Sequence, residues 1–286
     1  MLSTFEEFKN KFQEFIDPEI ILKEQAFLCD IKQVELKNKI FDIFSSMKTA
    51  IKNGLNSNEL SKSGLSGDNT SKLINNGNLG LISNFSKKAI LYSFATIEEN
   101  ARMGKIAACP TAGSSGIVPG VLVAYMEEFN KTDDEIVNAL IVAGEIGRIV
   151  SDKVPPAGAS AGCQAECGLA SSMASAALTF LSGGNTDMVL NSVALALKNI
   201  LGLTCDPVLG LVEVPCVKRN PFLAQHAITA SYLALSGIKS KIPLDDVVDA
   251  MKETGLLMSP KLKESSEAGL AVVKSALSFK KDNIIS

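Results

Sequence analysis

Gln164-Ala165-Glu166-Cys167-Gly168-Leu169-Ala170-Ser171-Ser172-Met173-Ala174-Ser175-Ala176-Ala177-Leu178-Thr179-Phe180-Leu181 carries one charge, on Glu166, and no proline. At 3.6 residues per turn it fills about five helical turns. It does not alternate as a half-buried strand would. Its side chains are mostly small, so a neighbouring helix can approach closely. A buried helix in the middle of a helical body is the reading that fits. Gly183-Gly184 ends it, because glycine accepts the left-handed conformation past a helix terminus. Extended upstream to Val154, the same stretch is the nearest approach to a membrane span. Pro155, Pro156, several Gly and Ser, Gln164 and Glu166 argue against one.

The helical period continues on both sides. Thr132 and Glu135 form a capping box, followed by an apolar stripe of Ile136, Val137, Leu140 and Ile141. Asn185 or Thr186 caps a helix with Val189, Val193 and Leu197 on one face. Asn220-Pro221 reads as an N-cap with proline at the first helical position, leading into Ala224, Ile228 and Leu235. Pro243 opens another helix, with Leu244, Val247, Val248 and Met251 inside. Residues 209–214 are the one candidate for a short extended piece. The expected fold is all-α, compact and multi-helical. It is one catalytic domain over residues 1–286, with residues 1–60 as an amphipathic helical arm. Residues 62–84 read as a polar loop.

The composition suits a soluble globular chain, with 46% hydrophobic and 21% charged residues. A net charge of −3 leaves no basic excess for nucleic acid. Residues 1–18 mix Phe with Glu, Lys and Asp and do not resemble a secretory signal. A cytoplasmic protein, neither membrane-bound nor nucleic-acid-bound, is expected. There is no Trp, so Leu, Ile, Val and Ala must fill the core.

Six cysteines are too few for a disulfide scaffold in a chain of 286 residues. Cys163, Cys167, Cys205 and Cys216 cluster in the Gly/Pro-rich part. Pro207, Gly210 and Pro215 hold the segment between Cys205 and Cys216 out of a helix, so its thiols can converge as around a metal. Cys163 follows Gly158-Ala159-Ser160-Ala161-Gly162 at a helix start, where exposed N–H groups favour a thiolate. Cys163 and Cys167 lie one turn apart on one face. A single free cysteine is most often a small core hydrophobe, and that reading is taken for Cys29. Cys109 and Cys167 are left open between packing and a supporting role. His226, the lone histidine, reads as structural.

Two further segments carry polar groups. Thr111, Gly113, Ser114, Ser115 and Gly116 precede a helix beginning near Ile117. Their N–H groups and hydroxyls suit a carboxylate, although an ordinary Gly/Ser turn fits equally well. No Gly-Lys-Ser/Thr closes the segment as in a nucleotide loop. Residues 63–72 would bring hydroxyls and Lys72 to a pocket, or form a solvated surface loop. Lys72 is the one candidate catalytic side chain, and no general base is identified.

Together these segments resemble the α subunit of the iron–sulfur-dependent L-serine dehydratases. The match lies in Pro110-Thr111-Ala112-Gly113-Ser114-Ser115-Gly116, Gly162-Cys163-Gln164-Ala165-Glu166 with Gly168, and Cys205-Asp206-Pro207-Val208. It continues through Gly210-Leu211-Val212-Glu213-Val214-Pro215-Cys216 and Arg219-Asn220, and the 64–72 loop also matches. The resemblance implies an all-helical catalytic subunit with a [4Fe–4S] cluster on Cys163, Cys205 and Cys216. One iron would stay open as a Lewis acid toward a leaving hydroxyl. It implies a small amino-acid substrate, L-serine, bound by its carboxylate at residues 111–116. Residues 283–286 hold no cysteine and no β region is present, so a separate β subunit is expected. Residues 155–161 depart from the family pattern, and His226 stands where an amide is expected. Two alternatives remain at this point. One is a related lyase such as a cysteine desulfidase, and the other is a non-catalytic metal or redox-sensing protein.

Overall fold

A computed structural model describes residues 2–77 and 79–279. Among them are thirteen α-helices and no strand, with one isolated bridge between Cys205 and Lys263. The helices are α1 (Phe5–Phe12), α2 (Pro18–Leu28), α3 (Gln33–Asn56), α4 (Asn69–Asn76), α5 (Asn84–Ala101), α6 (Ile117–Glu128) and α7 (Asp133–Lys153). They continue with α8 (Gly158–Ala161), α9 (Cys163–Leu181), α10 (Thr186–Lys198), α11 (Cys216–Leu235), α12 (Leu244–Leu257) and α13 (Lys274–Phe279). The expected all-α fold is the observed one.

Helix α9 is the hub, buried from Cys163 through Thr179. Helices α6, α7, α10 and α11 surround it. Its small residues permit this without stranding polar groups. Ser172 and Ser175 bond carbonyls three residues back, while Ser171 donates to Leu223 O on α11 at 2.9 Å. Thr179 donates to Ser231 of α11, also at 2.9 Å. Buried hydroxyls are tolerated when paired in this way. On α7, a Cβ at Gly147 would sit 2.8 Å from Met173 Sδ, so the Met173 side chain packs against the bare backbone of α7 at that crossing.

The local signals fall where expected in several places. Thr132 and Glu135 make the reciprocal capping box of α7, and Asn185 caps α10. Gly183, at φ 78°, follows the end of α9. The first sixty residues form α1, α2 and α3. Phe5, Phe8 and Phe12 enter the same apolar cluster as the body. Asp245 of α12 accepts from the Phe5 and Glu6 N–H groups, capping α1 from across the fold.

Four readings need correction. Asn220-Pro221 does not start a helix: α11 begins at Cys216 and Pro221 lies inside it. Asn220 is fully buried and its side chain bonds another segment. Residues 62–84 are not all loop, because α4 lies within them. Its first turn is pinned by Glu98, whose carboxylate accepts from Gly67 N, Asn69 N, Asn69 Nδ2, Thr70 N and Thr70 Oγ1. Residues 209–214 are not extended, since a 3-10 turn at Val208–Gly210 puts Leu209 at φ 59°. Cys29 does not pack in the core. It caps α2 at an exposed position, because only the face of α2 holding Ile21, Leu22 and Ala26 is buried. The 283–286 end lies outside the described residues.

Candidate metal centre and active site

Two cysteines begin helices. Cys163 is the first residue of α9, and Cys216 the first of α11. Gly162 sets up the first, with a φ of 78° that strains any residue carrying a Cβ. Cys205 lies in the loop before α11 and is fixed by the chain far downstream. Its N–H donates to Leu262 O at 2.9 Å, and its carbonyl accepts from Glu264 N at 2.7 Å. All three thiols are buried.

The tightest grouping is Cys163, Glu166 and Cys167, whose donor atoms lie within 4.8 Å of one another. Cys205 joins it from the side of α8. A Cβ at Gly158 would sit 2.6 Å from Cys205 Sγ and 3.3 Å from Glu166 Oε2. A Cβ at Gly113 would sit 2.6 Å from Glu166 Oε1. Two glycines from separate segments therefore leave the space in which Glu166 and the thiols meet.

The electrostatics agree with one shared pocket. Cys163 is held below the usual thiol range, chiefly by its hydrogen bond with Cys167 and further by the Arg219 guanidinium. Cys167 is pushed well up by that same bond and by burial. The two thiols are thus pushed in opposite directions by their contact with each other. Burial, then the negative charge of Cys163 and Glu166, raises Cys205 and lifts Cys216 to about 12. Burial also raises the Glu166 carboxyl, which Thr111 partly offsets. Buried thiols that resist ionisation are the arrangement a cation relieves.

Arg219, in the first turn of α11, bonds Thr204 O and Asp206 Oδ1, each at 2.8 Å. Asp206 in turn accepts from Leu270 N. This clamp holds both flanks of Cys205. Between the two cysteines, buried Glu213 accepts from Ser61, Ser63 and Ser66. The hydroxyls of the 61–66 loop thus reach the cysteine segment. Lys72 does not join them. It is exposed on α4 and paired with Asp68 at 2.6 Å.

The 111–116 turn meets the cysteines through Thr111, whose Oγ1 donates to Glu166 Oε1 at 2.6 Å. Ser114 Oγ lies 3.0 Å from Thr111 Oγ1. Much of the turn's N–H capacity is used internally. Ser115 N donates to Ala112 O, Ile117 N to Ser114 O, and Gly116 N to Asn220 Oδ1. Among the described residues, the Ala112 and Gly113 N–H groups of this turn have no partner. The Ser115 hydroxyl is fully buried and unpaired. Cys167 Sγ faces Gly113 O at 3.9 Å, which ties α9 to the turn. Cys109 is buried, and its thiol is pushed up to about 12 by burial. His226 Nε2 meets Ala196 O at 2.9 Å, a contact between helices and remote in kind from the thiols.

Sequence reasoning assigned no role in the site to Glu166, Arg219, Glu213 or Asn220. Glu166 had a signal, as the one charge in an otherwise uncharged helix. Asn220 was hidden by the proline after it, which imitates a helix start.

Residues 7–271 match the family pattern described as "Serine dehydratase alpha chain". The chain belongs to the serine dehydratase alpha chain family. Within that family it is 41% identical over 277 residues to the "Probable L-serine dehydratase, alpha chain" of Bacillus subtilis, covering 92% of each. It is 36% identical over 266 residues to the "L-serine dehydratase, alpha chain" of Peptoniphilus asaccharolyticus, covering 92% of this chain and 91% of that one. The "L-serine dehydratase" of Streptomyces coelicolor is 45% identical over 184 residues, which are 64% of this chain and 40% of that longer protein. As a serine dehydratase alpha chain the protein is a lyase, and the buried Cys/Glu/Cys group is its candidate metal site. No helix among the described residues is long and apolar enough to cross a membrane.

Proposed function

We propose that the chain is the catalytic α chain of an enzyme that converts L-serine to pyruvate and ammonia, acting with a separate β chain. The observation that carries this is the 2.6 Å bond from Thr111 to Glu166, which brings a turn with free N–H groups against the buried thiols. On this reading, both halves of an elimination site would lie side by side. The relatives named as alpha chains support the substrate and the partner.

Cys163, Cys205 and Cys216 would hold a [4Fe–4S] cluster. The donor set fits: three buried soft thiols from separate segments, with Gly158 clearing space at Cys205. When bound with one iron open, such a cluster supplies a Lewis acid for a hydroxyl leaving group. The Ala112 and Gly113 N–H groups and the Ser114 hydroxyl would take the substrate carboxylate. Thr111 donates to Glu166 and so fixes that carboxyl beside the turn. Arg219 holds Cys163 toward its thiolate form. A cytoplasmic site of action suits six free thiols.

The test is anaerobic co-purification of both chains, iron and sulfide analysis, and pyruvate release from L-serine and L-cysteine without pyridoxal phosphate. Pyruvate from serine is expected. Faster sulfide release from cysteine would shift the reading to a desulfidase. An iron-replete complex turning over neither substrate would reject it.

A further inference from the structure

Asn220 is fully buried in the second turn of α11, one residue past Arg219. Its Oδ1 accepts from Gly116 N at 2.9 Å. Its Nδ2 donates to Gly113 O at 2.8 Å and to Cys216 O at 3.0 Å. Both amide donors and one acceptor site are thus used, all on main-chain atoms. The amide orientation follows from the surroundings. Turned over, it would set its oxygen against two carbonyls and its NH₂ against the Gly116 N–H.

These three bonds join two functional segments. Gly113 and Gly116 bracket the turn assigned to the substrate carboxylate. Cys216 is a thiol assigned to the cluster. A Cβ at Gly116 would lie 3.0 Å from Asn220 Oδ1 and 2.5 Å from Ser93 O, so the turn is seated against α11 and α5 with no slack. Asn220 holds Gly113 O, and Ser114 N on the other side of that same peptide donates to Thr111 Oγ1, so the Gly113–Ser114 peptide is fixed from both sides in the middle of the turn. Pro221 has no N–H, so the helix ladder is interrupted next to Asn220, and the side-chain bond to Cys216 O reinforces that first turn.

We propose that Asn220 is a positioning residue that sets the carboxylate-binding turn relative to the Cys216 end of the cluster site. The inference rests on the reading of residues 111–116 as the carboxylate site. Asparagine suits the role because donor and acceptor are both required, and neither aspartate nor leucine supplies both.

The experiment compares Asn220→Asp and Asn220→Ala with a control, Ser171→Ala. The control removes a different buried bond to α11. All are purified anaerobically as the full chain with its β chain. Amide exchange at residues 111–117, iron content and the serine KM are measured. Asn220→Ser replaces the aspartate variant if that protein fails to accumulate. Asn220→Ala should speed exchange at Gly116 by roughly tenfold, the factor for one lost bond. Both Asn220 variants should raise KM more than threefold, while Ser171→Ala changes melting temperature alone. A KM rise of threefold or less at retained iron content, or unchanged exchange at 111–117, overturns the proposal. A raised KM in Asn220 variants together with unchanged KM in Thr111→Val and Ser114→Ala would reject the carboxylate reading and leave the positioning role standing.

Discussion

The cysteine-to-serine exchange is the sharpest probe at single residues, because it alters one donor atom and little volume. Cys163→Ser, Cys205→Ser and Cys216→Ser are each expected to abolish the brown visible absorption and bound iron together. An alcohol with an ordinary pKa does not replace a thiolate toward a soft metal. Cys29→Ser should retain both, since Cys29 is exposed at the end of α2. Full iron in Cys205→Ser would remove that residue from the ligand set. Thr111→Val tests the turn. It removes the hydrogen bond that Glu166 receives from the turn and frees the turn's internal bonds. A hydrogen bond made directly to a charged group is worth roughly 1.5–3 kcal/mol, about 10- to 150-fold in affinity. The bond lost here is to Glu166 and acts on substrate only through the turn, so the expected result is a serine KM raised by less than that range at normal iron content.

At the scale of elements, the approach of α8 to the Cys205 loop is the tightest constraint. Gly158 has no room for a Cβ beside Cys205 Sγ. Gly158→Ala should displace the thiol and lower the iron bound per chain, while leaving the helical circular dichroism unchanged. Normal iron loading would show that the loop has freedom the packing does not suggest. The same elements separate what the sequence discloses from what it conceals. Helix α9 was legible because its composition is local information: small residues, one charge and a glycine stop. The Thr132–Glu135 capping box and the helix-start position of Cys163 were legible for the same reason. Asn220 and the 209–214 segment were misread because their structure is decided by distant groups. Gly113, Gly116 and Glu213's serine partners lie far away in sequence, and local propensity yields to such tertiary bonds. Helix α4 was missed because its N-terminus is satisfied by Glu98 of α5 rather than by a side-chain cap of its own.

For the whole molecule, the distribution of ligands and activity between chains makes a separable prediction. Every thiol assigned to the cluster lies on this chain, and each is fixed by contacts within it. Cys205 is held by residues 262–264, Cys216 by Asn220, and Cys163 by Gly162 and Cys167. With the ligand set proposed above, cluster binding is expected not to depend on a partner. Catalysis is a different matter. The described residues around the thiols supply a carboxyl and the turn proposed for the substrate carboxylate, but Lys72, the one candidate catalytic side chain, is exposed and paired with Asp68. The Streptomyces relative matches this chain over only 40% of its length, so its remaining sequence is additional to what is matched here. Anaerobic reconstitution of the isolated chain should thus yield an iron-loaded, coloured protein with little or no turnover of L-serine. Adding the β chain should restore pyruvate formation without changing iron per α chain. Full activity of the isolated chain would show that the proton-transfer groups lie within it, with Glu166 the first to be replaced. Iron binding that appears only with the β chain would mean that the partner completes the cluster site itself.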